Sequence, residues 1–243
     1  MTAPDRTLRV FETFESAVRP LTLSEFAEAS GMPVSTSHGI LQALVRRGYL
    51  YLTSSRKDFF PTRRLYDMAA KINAHDPFLE LLTPRLRALR DATQETVIVG
   101  KRQGETIVYL AVLEGPQLIR YSARAGDIKP LYSTSIGKAL LSTLPAAALR
   151  AWVARTQLAA ITEHTLTTRE GLQHDIEEAR RRGYAVTRGE SVGDVYAVAT
   201  PVSVNHDVLG IAVAGPKHRL EGAVERTAQQ LLAVRADIEG GQA

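Results

Sequence analysis

The sequence contains no cysteine among its 243 residues, and that absence closes several routes at once. Disulfides, thiolate metal sites, zinc fingers and cysteine nucleophiles cannot be built. Long apolar runs are missing too. None approaches the ~20 residues of a membrane span, and the start, MTAPDRTLRV, lacks the apolar stretch of a secretory signal. The expectation is a cytoplasmic protein. The six His residues are dispersed, with no H-x-H or H-E-x-x-H pairing, so no metal is expected. Gly137-Lys138 lacks the leading glycine of a phosphate loop because Tyr132 stands there, so no nucleotide cofactor is expected either. Charge of one sign is scarce overall. Residues 1–75 nevertheless hold 10 Lys/Arg against 7 Asp/Glu, and the remainder 20 against 19, so +3 of the net +4 sits at the N-terminal end, the sign expected for a polyanion partner.

What is present begins with PVSTSHGILQALVRR, Pro33–Arg47. At 100° per residue, Ile40, Leu41, Leu44 and Val45 share one side with Ser37, which predicts a helix with a core face. The opposite side carries Ser35, Gly39, Gln42, Ala43 and Arg46, with Thr36 and His38 at its edges. That face is short, polar and cationic, as entry into a DNA major groove requires. Before it, an amphipathic helix is predicted from Asp5 to Ala17, with Leu8, Phe11, Phe14 and Val18 inward and Arg6 and Arg9 outward. Thr22-Leu23-Ser24-Glu25 is a capping box that opens a short second helix. Gly31 ends that helix and Pro33 starts the next, the spacing of a helix-turn-helix. After Gly48, Tyr49–Leu52 and Phe59–Thr62 flank a polar turn with Arg56 and Lys57 at its tip, which predicts a β-hairpin wing able to lie along phosphates. Arg6, Thr22, Ser35, Thr36, His38, Gln42, Arg46, Arg56 and Lys57 form the expected DNA-binding set.

Arg63–His75 is predicted to be a linker helix, with Leu65, Met68, Ala69 and Ile72 at helical spacing. Phe78–Asp91 follows with an apolar stripe of Phe78, Leu81, Leu82, Leu86 and Leu89. Periodicity then switches to two over Thr96–Arg102, Glu105–Leu113 and Gln117–Ala123. Helices are predicted at Ile136–Leu144, Ala146–Thr156 and Leu172–Arg182, strands at Tyr184–Arg188, Asp194–Val204 and Val208–Ala214, and a closing helix at Leu220–Ile238. The predicted fold is therefore α+β in two parts joined by a linker: a winged helix-turn-helix at 1–62, the linker at 63–76, and a sheet domain at 77–243 large enough to enclose one small ligand.

GDIKPLYSTSIGKALL at Gly126–Leu141, EHTLTTREGLQHDIEEARRRGYAV from Glu163, VYAVATPV and GIAVAGP follow the winged domain in an order that resembles the IclR family of bacterial transcriptional regulators. The resemblance covers nearly the whole chain. It implies a GAF-like C-terminal domain that binds a small organic acid, operator DNA of palindromic type, and assembly as a homodimer or dimer of dimers. Carried over by position, it places the effector at Leu118, Tyr121, Ser135, Ile136, Thr187, Val195, Ala197, Ala212 and Ala214; separately, Arg120, Arg124 and Lys129 lie near the expected pocket, and Arg120 is a candidate partner for a ligand carboxylate. The family often has Cys at position 197, hydroxyl residues at 212 and 214, and an acid at 187. Ala197, Ala212, Ala214 and Thr187 make this pocket less polar, favouring an aromatic or larger apolar acid. Members commonly carry Arg where Gly39 stands, which shifts base reading onto its neighbours.

Two other readings stay open at this stage. Ser135-Ile136-Gly137-Lys138 has the S-x-x-K spacing of a serine hydrolase, although the S-D-N, K-T-G and G-x-S-x-G companions are missing. A regulator is expected not to be an enzyme, with Ser135 and nearby amides forming a wall friendly to an anion. A winged domain can also serve protein contacts alone. Arg180-Arg181-Arg182, preceded by Glu177 and Glu178, is read as a solvated helix end.

Overall fold

The computed structural model describes residues 1–53, 57–76 and 78–241, in two units divided at Asp76/Pro77. In the first, α1 (Ala3–Ala17) opens on Thr2. Its hydroxyl accepts from the Asp5 amide while Asp5 accepts from the Thr2 amide, a capping box that moves the helix start ahead of Asp5. α1 buries Val10, Thr13 and Phe14. Leu8 and Val18, expected inward, are 61% and 80% exposed; Val18 ends the helix in the left-handed conformation at φ 53 and turns away. α2 (Leu23–Ser30) is capped by Thr22 and Glu25 and stopped by Gly31 at φ 67, where a side chain would be strained. α3 (Val34–Arg46) follows directly. β1 (Leu50–Leu52) and β2 (Phe59–Pro61) pair antiparallel, and an isolated bridge from Leu21 to Phe59 ties the hairpin to the helices. Val10, Phe14, Leu21, Phe26, Leu41, Leu44, Leu50 and Phe59 form the core. α4 (Arg64–Asn73) falls within this unit: Arg64 stacks on Tyr49 and donates to the Arg47 carbonyl. No residue of α4 is buried, and Tyr66 and Ile72 stand 65% and 67% exposed.

The Thr22 cap carries a measurable prediction. Thr22→Ala should cost the first unit about 1 kcal/mol, the usual worth of an N-cap hydroxyl. Hydrogen bonds from Thr22, with help from Arg19, hold the Glu25 carboxyl at about 2 rather than 4.5. Because the folded value lies below the unfolded one, this contribution is complete above pH 4.5 and lost as pH falls toward 2. Thermal melts across that range should show a shallower acid limb for the Ala variant.

The second unit begins with α5 (Leu79–Thr93) and continues through β3 (Thr96–Gln103), β4 (Thr106–Leu113), β5 (Ile128–Pro130), α6 (Ser135–Leu141), α7 (Ala146–Arg155), α8 (Arg169–Arg182), β6 (Ala185–Arg188), β7 (Val195–Val204) and β8 (Asp207–Pro216). It closes with a one-turn α9 (Lys217–Leu220), a 3-10 turn and α10 (Val224–Gly240), so the predicted single closing helix is broken after Leu220. The strands form one antiparallel sheet in the order β5-β4-β3-β8-β7-β6. Gln117–Ala123, expected as a strand, is not one. Arg219 and Thr96 side chains take its carbonyls, and Ile128–Pro130 supplies the edge strand instead.

Alternation decides what each face can hold. One face presents Val97, Val99, Val198, Val202, Leu209, Ile211 and Val213 and packs against Leu82, Leu86 and Leu89 of α5 and Ala228 and Leu231 of α10. The other presents Ile98, Ile107, Tyr109, Ala197, Ala199, Ala212 and Ala214 beneath α6, α7 and α8. Four alanines on that second face leave room that valines would fill. No helix among the described residues is long and apolar enough to cross a membrane.

Candidate nucleic-acid interface and ligand pocket

On α3, Ser37, Leu41 and Leu44 are buried, which turns the other side outward. Ser35, His38, Gly39 and Arg46 are exposed, Thr36 and Gln42 half-buried. An added Cβ on Gly39 would meet nothing within 4 Å, so its bare backbone answers no need within the chain. Lys57 is exposed in the turn between β1 and β2, where its backbone reaches φ 56. Arg56 lies outside the described residues. Thr22 is half-buried and its hydroxyl is engaged with Glu25. Arg6 is half-buried on the first turns of α1 and bonds back to the Thr2 carbonyl. Hydroxyl, amide and guanidinium groups on one helix face, with a basic turn in the same unit, can meet base edges and phosphates together.

In the second unit a pocket of about 410 Å³, counted to its open mouth, lies between the alanine face and α6. Tyr121, Ser135, Ile136, Thr187, Val195, Ala197, Ala212 and Ala214 line it, eight of the nine positions carried over from the family resemblance. Leu118 and Arg120 do not. Leu118 is 97% exposed, and Arg120 is tied to Glu114 at 2.6 Å and to the Gln117 carbonyl. Both belong to the segment that failed to form a strand, in which Tyr121 turns inward and these two do not. Ile98, Tyr109, Thr134, Ser191 and Val192 complete the lining and were not foreseen. Ile98 arrives through register, since β3 places it opposite Ala212. No local signal marks Ser191 or Val192.

The pocket wall is built on glycine. Gly100 and Gly210 are partners across β3 and β8, and Ile136 sits on both; a Cβ at Gly210 would stand 2.6 Å from Ile136 Cγ2. Gly137 lies still closer to the chain beneath it. Thr134 caps α6 by accepting from the Gly137 amide. Tyr121 is held from behind: Thr96 Oγ1 donates to its carbonyl at 2.5 Å, and Arg219 donates to the Ile119 carbonyl while forming a two-pronged pair with the buried Glu95. Burial, reinforced by Tyr121, pushes the Tyr109 phenol far above its usual value, so it is a neutral hydroxyl at any working pH. Among the described residues the lining is thus hydroxyl, alkyl and aromatic, with no Lys, Arg or His in it.

Lys138, read earlier as a candidate base for Ser135, points elsewhere. Fully buried, its Nζ donates to Glu190 Oε2 at 2.5 Å and stands 2.7 Å from Asp175 Oδ2. Burial drives the Glu190 carboxyl up against the opposing pull of this lysine. Within the pocket-side core, the side chain of Trp152 is buried and donates to Glu105, which also pairs with Arg155 at 3.0 Å. Among the described residues no cluster of His, Asp or Glu is arranged to hold a metal.

Residues 3–53 match the IclR helix-turn-helix domain, and residues 72–239 match the bacterial transcriptional regulator IclR C-terminal domain. The chain is 30% identical over 217 residues to the probable transcriptional regulator SauR of Cupriavidus necator, covering 88% of this chain and 86% of that one. The crystal structure of Thermotoga maritima IclR superposes with a TM-score of 0.82 at 25% identity, over 98% of both chains. An IclR homologue from Microbacterium hydrocarbonoxydans, crystallised with 4-hydroxybenzoate, shares the fold at a TM-score of 0.73 and 22% identity, over 97% of this chain and 96% of that one. The chain therefore belongs to the IclR family of bacterial transcriptional regulators, and its N-terminal helix-turn-helix is a DNA-binding domain.

Proposed function

We propose that this regulator's grip on operator DNA is set by a small organic acid, aromatic in preference, bound in the pocket between the alanine face and α6. The observation that carries the reading is the pocket's make-up: alanines open the space, while Ser135, Thr187, Ser191 and the two tyrosines surround it with hydroxyls. A flat ring suits the apolar walls and hydroxyl donors suit a carboxylate. The homologue holding 4-hydroxybenzoate supports the same class of ligand. Binding favours one arrangement of the chain over another, and the segment 63–76 carries that preference to the winged domain. The exposed apolar residues of α4 support a homodimer, and a dimer calls for a palindromic operator. Operator binding supports a cytoplasmic location. Regulation without catalysis is favoured over a serine hydrolase because the Lys138 amine is spent on Glu190 and Asp175.

A thermal-shift screen of benzoates, hydroxybenzoates and aliphatic acids tests this. A ligand at a hundredfold excess over its Kd should raise the transition by about 5–10 °C, and Ala212→Leu, which fills the pocket, should abolish the rise. A protein indifferent to every acid would defeat the effector reading. On the DNA side, Arg46→Ala should weaken binding to a duplex selected from a random library and lower the salt dependence by about one unit of slope if the contact is to phosphate; discrimination at one base pair is lost if it is to a base edge. Unchanged binding would remove Arg46 from the interface.

A further inference from the structure

Three charged side chains meet beside the pocket, two of them buried and the third half-buried, and none of them lines it. Lys138 comes from α6, Asp175 from α8, and Glu190 from the segment between β6 and β7. The two carboxylates are not equivalent. Glu190 takes a hydrogen bond from Nζ at 2.5 Å and its side chain is 8% exposed; Asp175 Oδ2 is 2.7 Å from the same nitrogen without hydrogen-bond alignment and its side chain is 24% exposed.

The position of each end gives the bond its meaning. Lys138 lies one helical turn beyond Ser135 and Ile136, which form one wall of the pocket. Glu190 immediately precedes Ser191 and Val192, which form another part of it. The segment carrying Glu190 is gripped at two further points, Thr162 Oγ1 donating to the Gly189 carbonyl at 2.6 Å and Thr165 Oγ1 to the Glu190 carbonyl at 2.8 Å. Gly189 itself, at φ 81, has the Gly193 carbonyl 2.5 Å from where a Cβ would stand. A buried ion pair adds little stability over an apolar pair of the same size, because desolvation offsets the attraction. What it does supply is a directed link of fixed length, here between two walls of one cavity.

We infer that Lys138 and Glu190 are positioning residues of the effector pocket: their bond sets where Ser191 and Val192 stand relative to the first turn of α6, and thereby how long a bound ligand stays. The inference rests on the effector reading of the pocket for its ligand arm, while its structural arm can be judged without any ligand. Hydrogen exchange of the full-length protein, followed by mass spectrometry, compares Glu190→Gln with Asp175→Asn. Both remove one carboxylate from the same lysine, so a merely stabilising role predicts equal effects. A positioning role predicts that Glu190→Gln speeds exchange in residues 189–194 by about tenfold, the worth of one hydrogen bond to a charged group. Asp175→Asn should change that segment less than twofold, and neither variant should alter the β7–β8 ladder. With 4-hydroxybenzoate as the probe, Glu190→Gln should also release ligand about tenfold faster than wild type. Equal exchange in the two variants, or none in either, overturns the proposal, as does accelerated exchange with unaltered release. If wild-type protein ignores 4-hydroxybenzoate and the other acids of the screen, the effector reading falls, and the exchange comparison alone decides whether the pair holds the segment.

Discussion

Gly137→Ala should unfold the second unit or cost it more than about 4 kcal/mol, a magnitude seen only where something cannot move aside. A Cβ on Gly137 would stand 2.1 Å from the Leu131 carbonyl oxygen and 2.5 Å from its Cα. Both are backbone atoms of a fully buried residue, and every residue of α6 is buried around them. Ordinary overpacking costs about 1–3 kcal/mol because side chains yield; here the obstruction is main chain, so α6 must lift off the sheet. Gly39→Ala is the matched control. It too is a helical glycine becoming alanine, but with nothing within 4 Å of the new Cβ it should stabilise the first unit by about 0.5–1 kcal/mol through helix propensity alone. Urea unfolding of the two variants should therefore move in opposite directions. A Gly137→Ala protein with a wild-type midpoint would mean that α6 does not sit as described.

Lys138→Met should cost about 3–5 kcal/mol, the penalty for removing one partner of a buried ion pair. The loss is specific in its pH dependence. Without the ammonium, Glu190 and Asp175 face each other with no cation, and the Glu190 carboxyl, already raised by burial, has lost its main counterweight. A carboxyl whose folded pKa exceeds its unfolded one supports the fold below the unfolded value and undermines it as pH rises through the folded value. The variant should accordingly recover stability as pH is lowered from neutrality toward 4.5, where wild type gains less. Adding Glu190→Leu should restore most of the loss at neutral pH by replacing the orphaned carboxylate with an apolar neighbour. A pH-independent loss, or a double variant no better than the single, would assign the effect to packing of the lysine stem instead.

Much of this architecture is legible before any coordinates, and what fails does so for identifiable reasons. Caps and stops are local chemistry, so Thr22, Glu25 and Gly31 mark helix ends as read. The pocket floor is legible because alternation in VYAVATPV and GIAVAGP puts alanines on one face and bulkier residues on the other. Leu8 misleads because helical spacing identifies an apolar stripe but not which part of it a neighbour covers; Val10 and Phe14 suffice against Phe26, and Leu8 is left outside. Gln117–Ala123 misleads because its alternation is real, yet strand identity depends on a neighbour's free edge, which Ile128–Pro130 takes. Ile98 and Tyr109 enter the pocket through pairings of residues more than a hundred positions apart in one case and through an irregular register at Val99/Gly100 in the other. Neither can be read from a local window. The Lys138–Glu190 bond spans 52 positions and leaves no periodic trace at all.

Trp152 gives the molecule an optical property that nothing in its regulation requires. It is the chain's single tryptophan, it lies in the pocket-side core of the second unit, and it is 2% exposed with its indole N–H bonded to Glu105. Its emission is therefore that of a shielded indole belonging to one unit, while the winged unit is dark at tryptophan wavelengths. Fluorescence will follow the melting of the sheet domain without a label, and circular dichroism, which sees both units, will isolate the melting of the winged unit by difference.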